Sequence, residues 1–345
     1  MVENTQQINY FNYITTDLTQ TILSHLPLKS LIRCSTVCKQ FRSITNNPSF
    51  HPTAQTTPWF FLYGLNNISC KKNQSFAYDP LLNEWIHVPK TCFPDTLLAE
   101  SSISGDKGLF FNTAGVNFSL SPILKPLWFI GGLVDMEDNL GVEIYDGDLN
   151  SWEICPPLPA DFRSGNSSQS LCSGLFKERF YVFGIYSGFV SSFDLEKRVW
   201  SDVQTLRPPG VVMSCLISCG RELMLAGLCN DVRGHSFNLW RVDELTMEFS
   251  VVAIMPSDLL NCLFDSDGDD QFASLKCVGY GNFIFVFNEE HRRNYPACVC
   301  EIRSDSGECR WRRVPDLPEP VNRFHKVIGF CSTIPIHRIL GSEVV

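Results

Sequence analysis

A chain of 345 residues is long enough for about two domains, and 44% apolar with 12% aromatic residues supplies a sizeable core, so the protein reads as globular. The net charge is −9; residues 1–50 carry Lys29, Arg33, Lys39 and Arg42 against Glu3 and Asp17, leaving 24 basic against 35 acidic side chains in the remainder, a balance unlike that of a nucleic-acid binder. The 15 cysteines are odd in number, and with no leading secretory pattern they read as reduced, core-filling thiols and not as a disulfide framework.

Residues 1–13 show no basic cluster and no apolar run, and read as a disordered start without a secretory or transit signal. No stretch approaches eighteen consecutive apolar residues, so no membrane partner is expected, and the place of action reads as cytoplasm, nucleus or both. From Ile14 the pattern turns helical. Leu18, Ile22 and Leu26 recur at helical spacing behind Thr15-Thr16-Asp17, which can supply an N-cap, and Pro27 ends the run. Leu31, Cys34, Val37, Cys38, Phe41 and Ile44 then step by three and four until Pro48, as one long segment or two helices with a bend. So few helices cannot bury both their apolar faces, which implies a partner surface; a small bundle capping the next domain is the blander alternative.

These residues resemble the F-box family: Asp17-Leu18, Ile22-Leu23, Leu26-Pro27, Leu31 and Val37-Cys38-Lys39 fit its pattern, while Ile14-Thr15 replaces the opening Leu-Pro and Phe41 stands where Trp is common. The resemblance implies docking of a Skp-type adaptor of a cullin ubiquitin ligase through residues drawn from Ile14, Leu18, Ile22, Leu23, Leu26, Pro27, Leu31, Val37 and Phe41. Sequence does not separate the box's own core from its docking face. Cys34 and Cys38, one helical turn apart, match core positions of the box.

The box is read over 14–50 and a short polar linker over 51–58. From Trp59 the chain changes to short β-rich runs with hardly any helix. An internal unit recurs: an aromatic strand ending in Gly, an aromatic-Asp strand, a polar turn, Trp, and a Pro-containing exit. Tyr63-Gly64, Tyr78-Asp79 and Trp85 make one copy; Phe129 to Gly132, Tyr145-Asp146 and Trp152 the next; Tyr181 to Gly184, Phe193-Asp194 and Trp200 a third. The fourth has Leu225 to Gly227, Asp243 and Phe249 in the Trp place, and the fifth Phe283 to Phe287, Val299 to Ile302 and Trp311.

The unit resembles the kelch repeat, with its spacing of roughly fifty residues. The expected fold is therefore a small all-α F-box followed by an all-β kelch-type propeller of five to six blades over 59–331, with a tail over 332–345. The long interval before Trp152 invites a cryptic unit with strands at Leu97 to Ser104, Leu109 to Asn112, Phe118 to Leu120 and Trp128. The run Phe324 to Cys331 is expected to pair with the strand beginning at Trp59 and so close the ring.

Other chemistry finds little support. No Gly-rich phosphate loop or nucleophile elbow occurs, so no cofactor and no catalytic residue is expected. Cys298-x-Cys300 lacks zinc spacing and reads as core, and Asp265 to Asp270 lacks the residues of a calcium loop, so no metal is expected. Arg310-Trp311-Arg312-Arg313 reads as surface charge around a repeat Trp, not as a nucleic-acid site. The reading is a non-catalytic substrate receptor of a Skp-cullin-F-box ligase whose propeller binds a target protein, with Arg163, Arg233, Arg292, Arg293 and Arg323 as candidate target contacts. Two alternatives are a propeller scaffold without a ligase role and, less well supported, a copper oxidase resembling galactose oxidase.

Overall fold

The computed structural model describes residues 15–47, 49–52, 58–66, 68–87, 99–105, 108–113, 127–130, 142–146, 151–162, 171–177, 179–232, 234–264, 275–290, 294–303 and 306–332. It divides into two compact units, residues 1–57 with 333–345, and residues 58–332. In the first unit, helix α1 spans Thr16–Ser24, α2 Leu28–Val37 and α3 Lys39–Thr45. Thr15 starts α1 as an N-cap, its Oγ1 accepting from the Leu18 N–H at 3.3 Å. Pro27, extended at φ −57° and ψ 149°, breaks the chain direction after α1 and opens α2, its carbonyl accepting from the Leu31 N–H at 3.0 Å.

The second unit is almost entirely β. In chain order the strands are β1 (Trp59–Leu65), β2 (Gln74–Asp79), β3 (Glu84–His87), β4 (Ala99–Gly105), β5 (Gly108–Thr113), β6 (Leu127–Ile130), β7 (Val142–Asp146) and β8 (Ser151–Cys155). They continue with β9 (Leu171–Phe176), β10 (Arg179–Gly184), β11 (Phe189–Asp194), β12 (Val199–Trp200), β13 (Gln204–Thr205), β14 (Val211–Cys219), β15 (Glu222–Asp231), β16 (Gly234–Val242) and β17 (Phe249–Ile254). The short helix α4 (Ser257–Asn261) precedes β18 (Leu275–Tyr280), β19 (Phe283–Asn288), β20 (Ala297–Ile302), β21 (Cys309–Arg313) and β22 (Lys326–Ser332).

These strands form antiparallel sheets in the orders β22-β1-β2-β3, β14-β15-β16-β17 and β18-β19-β20-β21, a β9-β10-β11-β12 sheet that adds β13 on β11, a three-stranded β6-β7-β8 sheet and a β4-β5 pair. The pairing of the last strand with the first is as expected: β22 runs antiparallel to β1 from Trp59 opposite Ser332 to Leu65 opposite Lys326. Trp128 departs from its expected place. It lies in β6, opposite Ile144 of β7, so it belongs to the Trp152 sheet and is no fourth strand of a preceding unit. The expected runs at Leu97 to Ser104 and Leu109 to Asn112 do form strands, β4 and β5, paired with each other; Phe118 to Leu120 lies outside the described residues.

Second strands such as β1 and β19 are buried along their whole length, as continuous apolar runs require when a sheet is covered on both faces. Neighbouring sheets share cores. Phe60 stacks on Phe285 with ring centroids 4.7 Å apart, joining the β1 and β19 sheets, while Met224 and Phe237 meet Ile284 and Cys298 between the β15 and β19 sheets. Tyr181 and Phe183 meet Leu225 and Trp240, and Cys155 and Leu158 meet Phe180 and Phe193. The first strands also adjoin one another, β22 beside β18, β18 beside β14, β14 beside β9, and β4 beside both β9 and β22.

One turn recurs between third and fourth strands. Asp79, Asp194 and Asp243 each accept, through Oδ1, from the backbone N–H groups two and three residues on, at 2.8–3.3 Å. The residue four beyond each Asp, namely Asn83, Arg198 or Met247, takes a positive φ. In the β20–β21 turn Gly307 does the same four residues after Arg303.

Candidate functional site

The helices of the first unit sort the apolar residues into two groups. Leu23 and Leu31 are buried, at 2% and 0% exposure, and Ile44 joins them. Leu18, Ile22 and Val37 are exposed at 51%, 49% and 70%, far more than isolated aliphatic side chains of a folded bundle need to be. Leu18 and Ile22 are four residues apart, so they share one face of α1. Leu26 and Phe41 are half-buried, Pro27 is exposed, and Ile14 lies outside the described residues.

Cys38 corrects the expected core role. It is exposed, and it is extended at φ −153° and ψ 163°, so the long apolar run breaks here into α2 and α3. Its Sγ caps α3 by accepting from the Phe41 N–H at 3.4 Å. A thiol in a cap position carries no familiar sequence signature, whereas Ser, Thr, Asp or Asn would have been read at once.

Of the five arginines expected to meet a target, Arg163, Arg233, Arg292 and Arg293 lie outside the described residues. Arg323 is exposed, in the segment that leads into β22. That segment is fastened to the β1–β2 loop. The Arg323 carbonyl accepts from Asn66 Nδ2 at 3.0 Å, Gln74 Nε2 donates to the Pro320 carbonyl at 2.8 Å, and the Asn322 N–H donates to Gln74 Oε1 at 2.7 Å. The side chain of Arg323 is thereby presented from a fixed backbone.

The Arg310 to Arg313 stretch is largely used within the fold. Arg312 donates to Tyr78 Oη, to Asn83 Oδ1 at 2.7 Å and to the Pro80 carbonyl at 2.7 Å, and it lies over the Tyr78 ring; Arg313 pairs with Asp316 at 2.7 Å. Burial pushes the Tyr78 hydroxyl above its ordinary pKa, against the opposing pull of Arg312. The repeat tryptophans tie one sheet to the next: Trp85 Nε1 donates to the Pro315 carbonyl at 2.7 Å and Trp200 Nε1 to the Pro156 carbonyl at 3.0 Å.

Trp311 needs a correction. Trp85 and Trp200 sit opposite Tyr78 and Phe193, and Phe249 sits opposite Val242, in each case the residue before the turn Asp. Cys309, opposite Ile302, holds that place in β21, and Trp311 lies two residues farther along, opposite Cys300. There its Nε1 is buried without a partner, and its ring meets Phe237 edge-on.

Cys298 and Cys300 are fully buried and share one core. Among the described residues no group of three or more His, Cys, Asp or Glu side chains could hold a metal ion, and no helix is long and apolar enough to cross a membrane. The Asp265 to Asp270 run lies outside the described residues.

Residues 14–53 match the F-box domain family. The chain is 22% identical to F-box only protein 6 of Arabidopsis thaliana, over 89% of this chain and 70% of that one. It is 30% identical to an F-box/kelch-repeat protein of the same plant over 22% of this chain and 19% of that one. Among solved structures, TolB from Acinetobacter baumannii aligns at 11% identity over 79% of this chain and 66% of that chain, with a TM-score of 0.42. The protein thus carries an F-box domain ahead of a region of four-stranded antiparallel sheets, and over most of its length is similar to plant F-box proteins. The curated relatives it matches over most of its length are named as F-box proteins.

Proposed function

We propose that the chain is the substrate-recognition subunit of a Skp-cullin-F-box ubiquitin ligase, acting in cytoplasm or nucleus, with its F-box over residues 14–50 and a kelch-type propeller over 59–331. The observation that carries the adaptor half of this reading is the exposure of Leu18, Ile22 and Val37 on helices that bury Leu23 and Leu31 beneath them. About half of each side chain on α1 faces water, and covering an aliphatic side chain fully is worth roughly 1.5–3 kcal/mol, so three such residues supply an anchor of useful size. Leu26 and Phe41 are half-buried and Pro27 is exposed, and we take them as further docking contacts, while the buried Leu23 and Leu31 belong to the box's own core.

For the second unit, the adjoining first strands β22, β18, β14, β9 and β4 support a closed ring, and β22-β1 pairing supplies its seal. A propeller joined to an adaptor-docking box raises the effective concentration of a bound target near the ligase's catalytic subunits. The test is co-purification of the full chain with a Skp-type adaptor, beside a variant carrying Leu18→Asp and Ile22→Asp. Binding by the wild type, lost in the variant with helix content and unfolding midpoint unchanged, is the expected result. An intact, folded wild type that binds no adaptor overturns the ligase reading and leaves a propeller scaffold.

A further inference from the structure

We propose that Cys262 and Cys298 form an oxidation-sensitive dithiol, which a hydroperoxide converts to a disulfide that ties the segment after α4 to strand β20. Cys262 caps the C-terminal end of α4, and Cys298 lies on β20. Their sulfurs are 3.9 Å apart, and both point at the Leu259 carbonyl, at 2.9 Å from Cys262 and 3.6 Å from Cys298. A disulfide needs about 2.05 Å, so the sulfurs have about 2 Å to travel.

The two thiols are unequal in the way that stepwise oxidation requires. Cys298 is fully buried, whereas Cys262 is half-buried. The Cys298 thiol beside it and the nearby Arg313 guanidinium pull the Cys262 thiol down to about 7, against burial and the charges of Asp258 and Asp316. Being both the more exposed thiol of the pair and the one whose ionisation is eased, Cys262 is the nucleophile. Cys309, which meets Cys300, is also half-buried, but burial pushes its thiol up.

In the first step the Cys262 thiolate attacks one oxygen of hydrogen peroxide. The S–O bond forms, the O–O bond breaks, and the departing hydroxide takes a proton to become water. In the second, the Cys298 sulfur attacks the sulfenic acid: the S–S bond forms, the S–O bond breaks, and the Cys298 proton leaves with the hydroxide as a second water. Two thiols are oxidised by two electrons, and one peroxide is reduced to two waters. The product would hold the β17–β18 connection, whose Leu263 carbonyl already accepts from Asn288 Nδ2 at 2.7 Å, covalently against the sheet.

The experiment treats the full chain with hydrogen peroxide at neutral pH, blocks remaining thiols with iodoacetamide and maps the digested peptides by mass. The expected product is a dithiothreitol-reducible peptide pair joining Cys262 to Cys298, two hydrogens lighter than the free dithiol. In Cys298→Ser, which keeps a hydroxyl beside Cys262 but cannot form the disulfide, dimedone should label Cys262 as a sulfenic acid; in Cys262→Ala, Cys298 should stay a free thiol. Recovery of both cysteines as free thiols from folded, peroxide-treated wild type overturns the proposal, as does cross-linking spread without preference over the other cysteines. The wild-type mapping decides the matter even if either variant fails to fold.

Discussion

The indole N–H of Trp85, on the outer strand β3 of the β22-β1-β2-β3 sheet, donates at 2.7 Å to the carbonyl of Pro315, which follows β21, the outer strand of the β18-β19-β20-β21 sheet. Trp85→Phe keeps an aromatic ring but removes that donor from a half-buried site, and is expected to cost about 1 kcal/mol. Trp311→Phe removes an indole N–H that has no partner, so its loss should be clearly smaller. Chemical unfolding of the two variants side by side checks the contrast, and equal losses would contradict the register assigned to β21.

Leu31 and Ile22 should behave in opposite ways. Leu31→Ala empties a fully buried position and is expected to destabilise the helical unit by about 2–5 kcal/mol, whereas Ile22→Ala at a half-exposed position should cost well under 1 kcal/mol. Far-ultraviolet circular dichroism during denaturant titration would register the difference. A variant that pairs a change at Leu31 with one at Leu26 would therefore report unfolding and docking together, which is why adaptor binding is better tested through Leu18 and Ile22.

Arg312→Met should open the junction between β21 and the β2–β3 turn. The guanidinium's bonds to Tyr78 Oη, Asn83 Oδ1 and the Pro80 carbonyl are lost together, for an expected cost of about 1–3 kcal/mol. Hydrogen exchange should quicken at residues 81–83 before it does elsewhere. Unchanged exchange there would mean that the turn is held by Asp79 alone.

The turn carboxylates predict an acid limb. Backbone N–H donation holds the Asp194 and Asp243 carboxyls below their ordinary value. A carboxyl depressed in the folded state stabilises the fold above the unfolded pKa of about 3.9, and that contribution is lost as pH falls through the lower, folded value. Asp243→Ala should therefore be less stable than wild type at neutral pH, with the gap narrowing as pH falls below the ordinary carboxyl value of about 3.9. A gap that stays constant with pH would assign the effect to turn geometry and not to charge.

Gly64→Ala tests the seal between the first and last strands of the second unit. An added Cβ at Gly64 would run into the ring of Phe324, which is buried in the segment leading to β22. Overpacking of this kind costs about 1–3 kcal/mol. The loss should appear as a lower thermal midpoint, and an unchanged midpoint would show that the Phe324 ring can swing aside.

Much of this architecture could be read from residue order because its signals are local. Pro27 separates α1 from α2, each turn Asp marks a hairpin, and the apolar run at the C-terminal end of the second unit finds the strand beginning at Trp59. The misplacements have physical causes. Trp311 carries the aromatic side chain typical of the unit, while the backbone turn places Cys309; a shift of two residues keeps the same strand face, so alternation alone does not distinguish them. Trp128 pairs with a strand beyond a long connection, and nothing in its own neighbourhood specifies that partner. Helical periodicity marks Leu18, Ile22, Leu23 and Leu31 alike as apolar, but it cannot say which of them the bundle keeps for itself.

The union of β22 with β1 also sets a schedule for synthesis. A ribosome releases the Trp59–Leu65 strand early and its partner, Lys326–Ser332, only after all the intervening sheets. At roughly 5–20 residues per second, the nascent molecule spends some tens of seconds with that apolar strand bare along one edge. Premature termination anywhere before Lys326 would make the bare edge permanent, so truncated products should be marked for chaperones or proteolysis by the same strand that completes the finished protein.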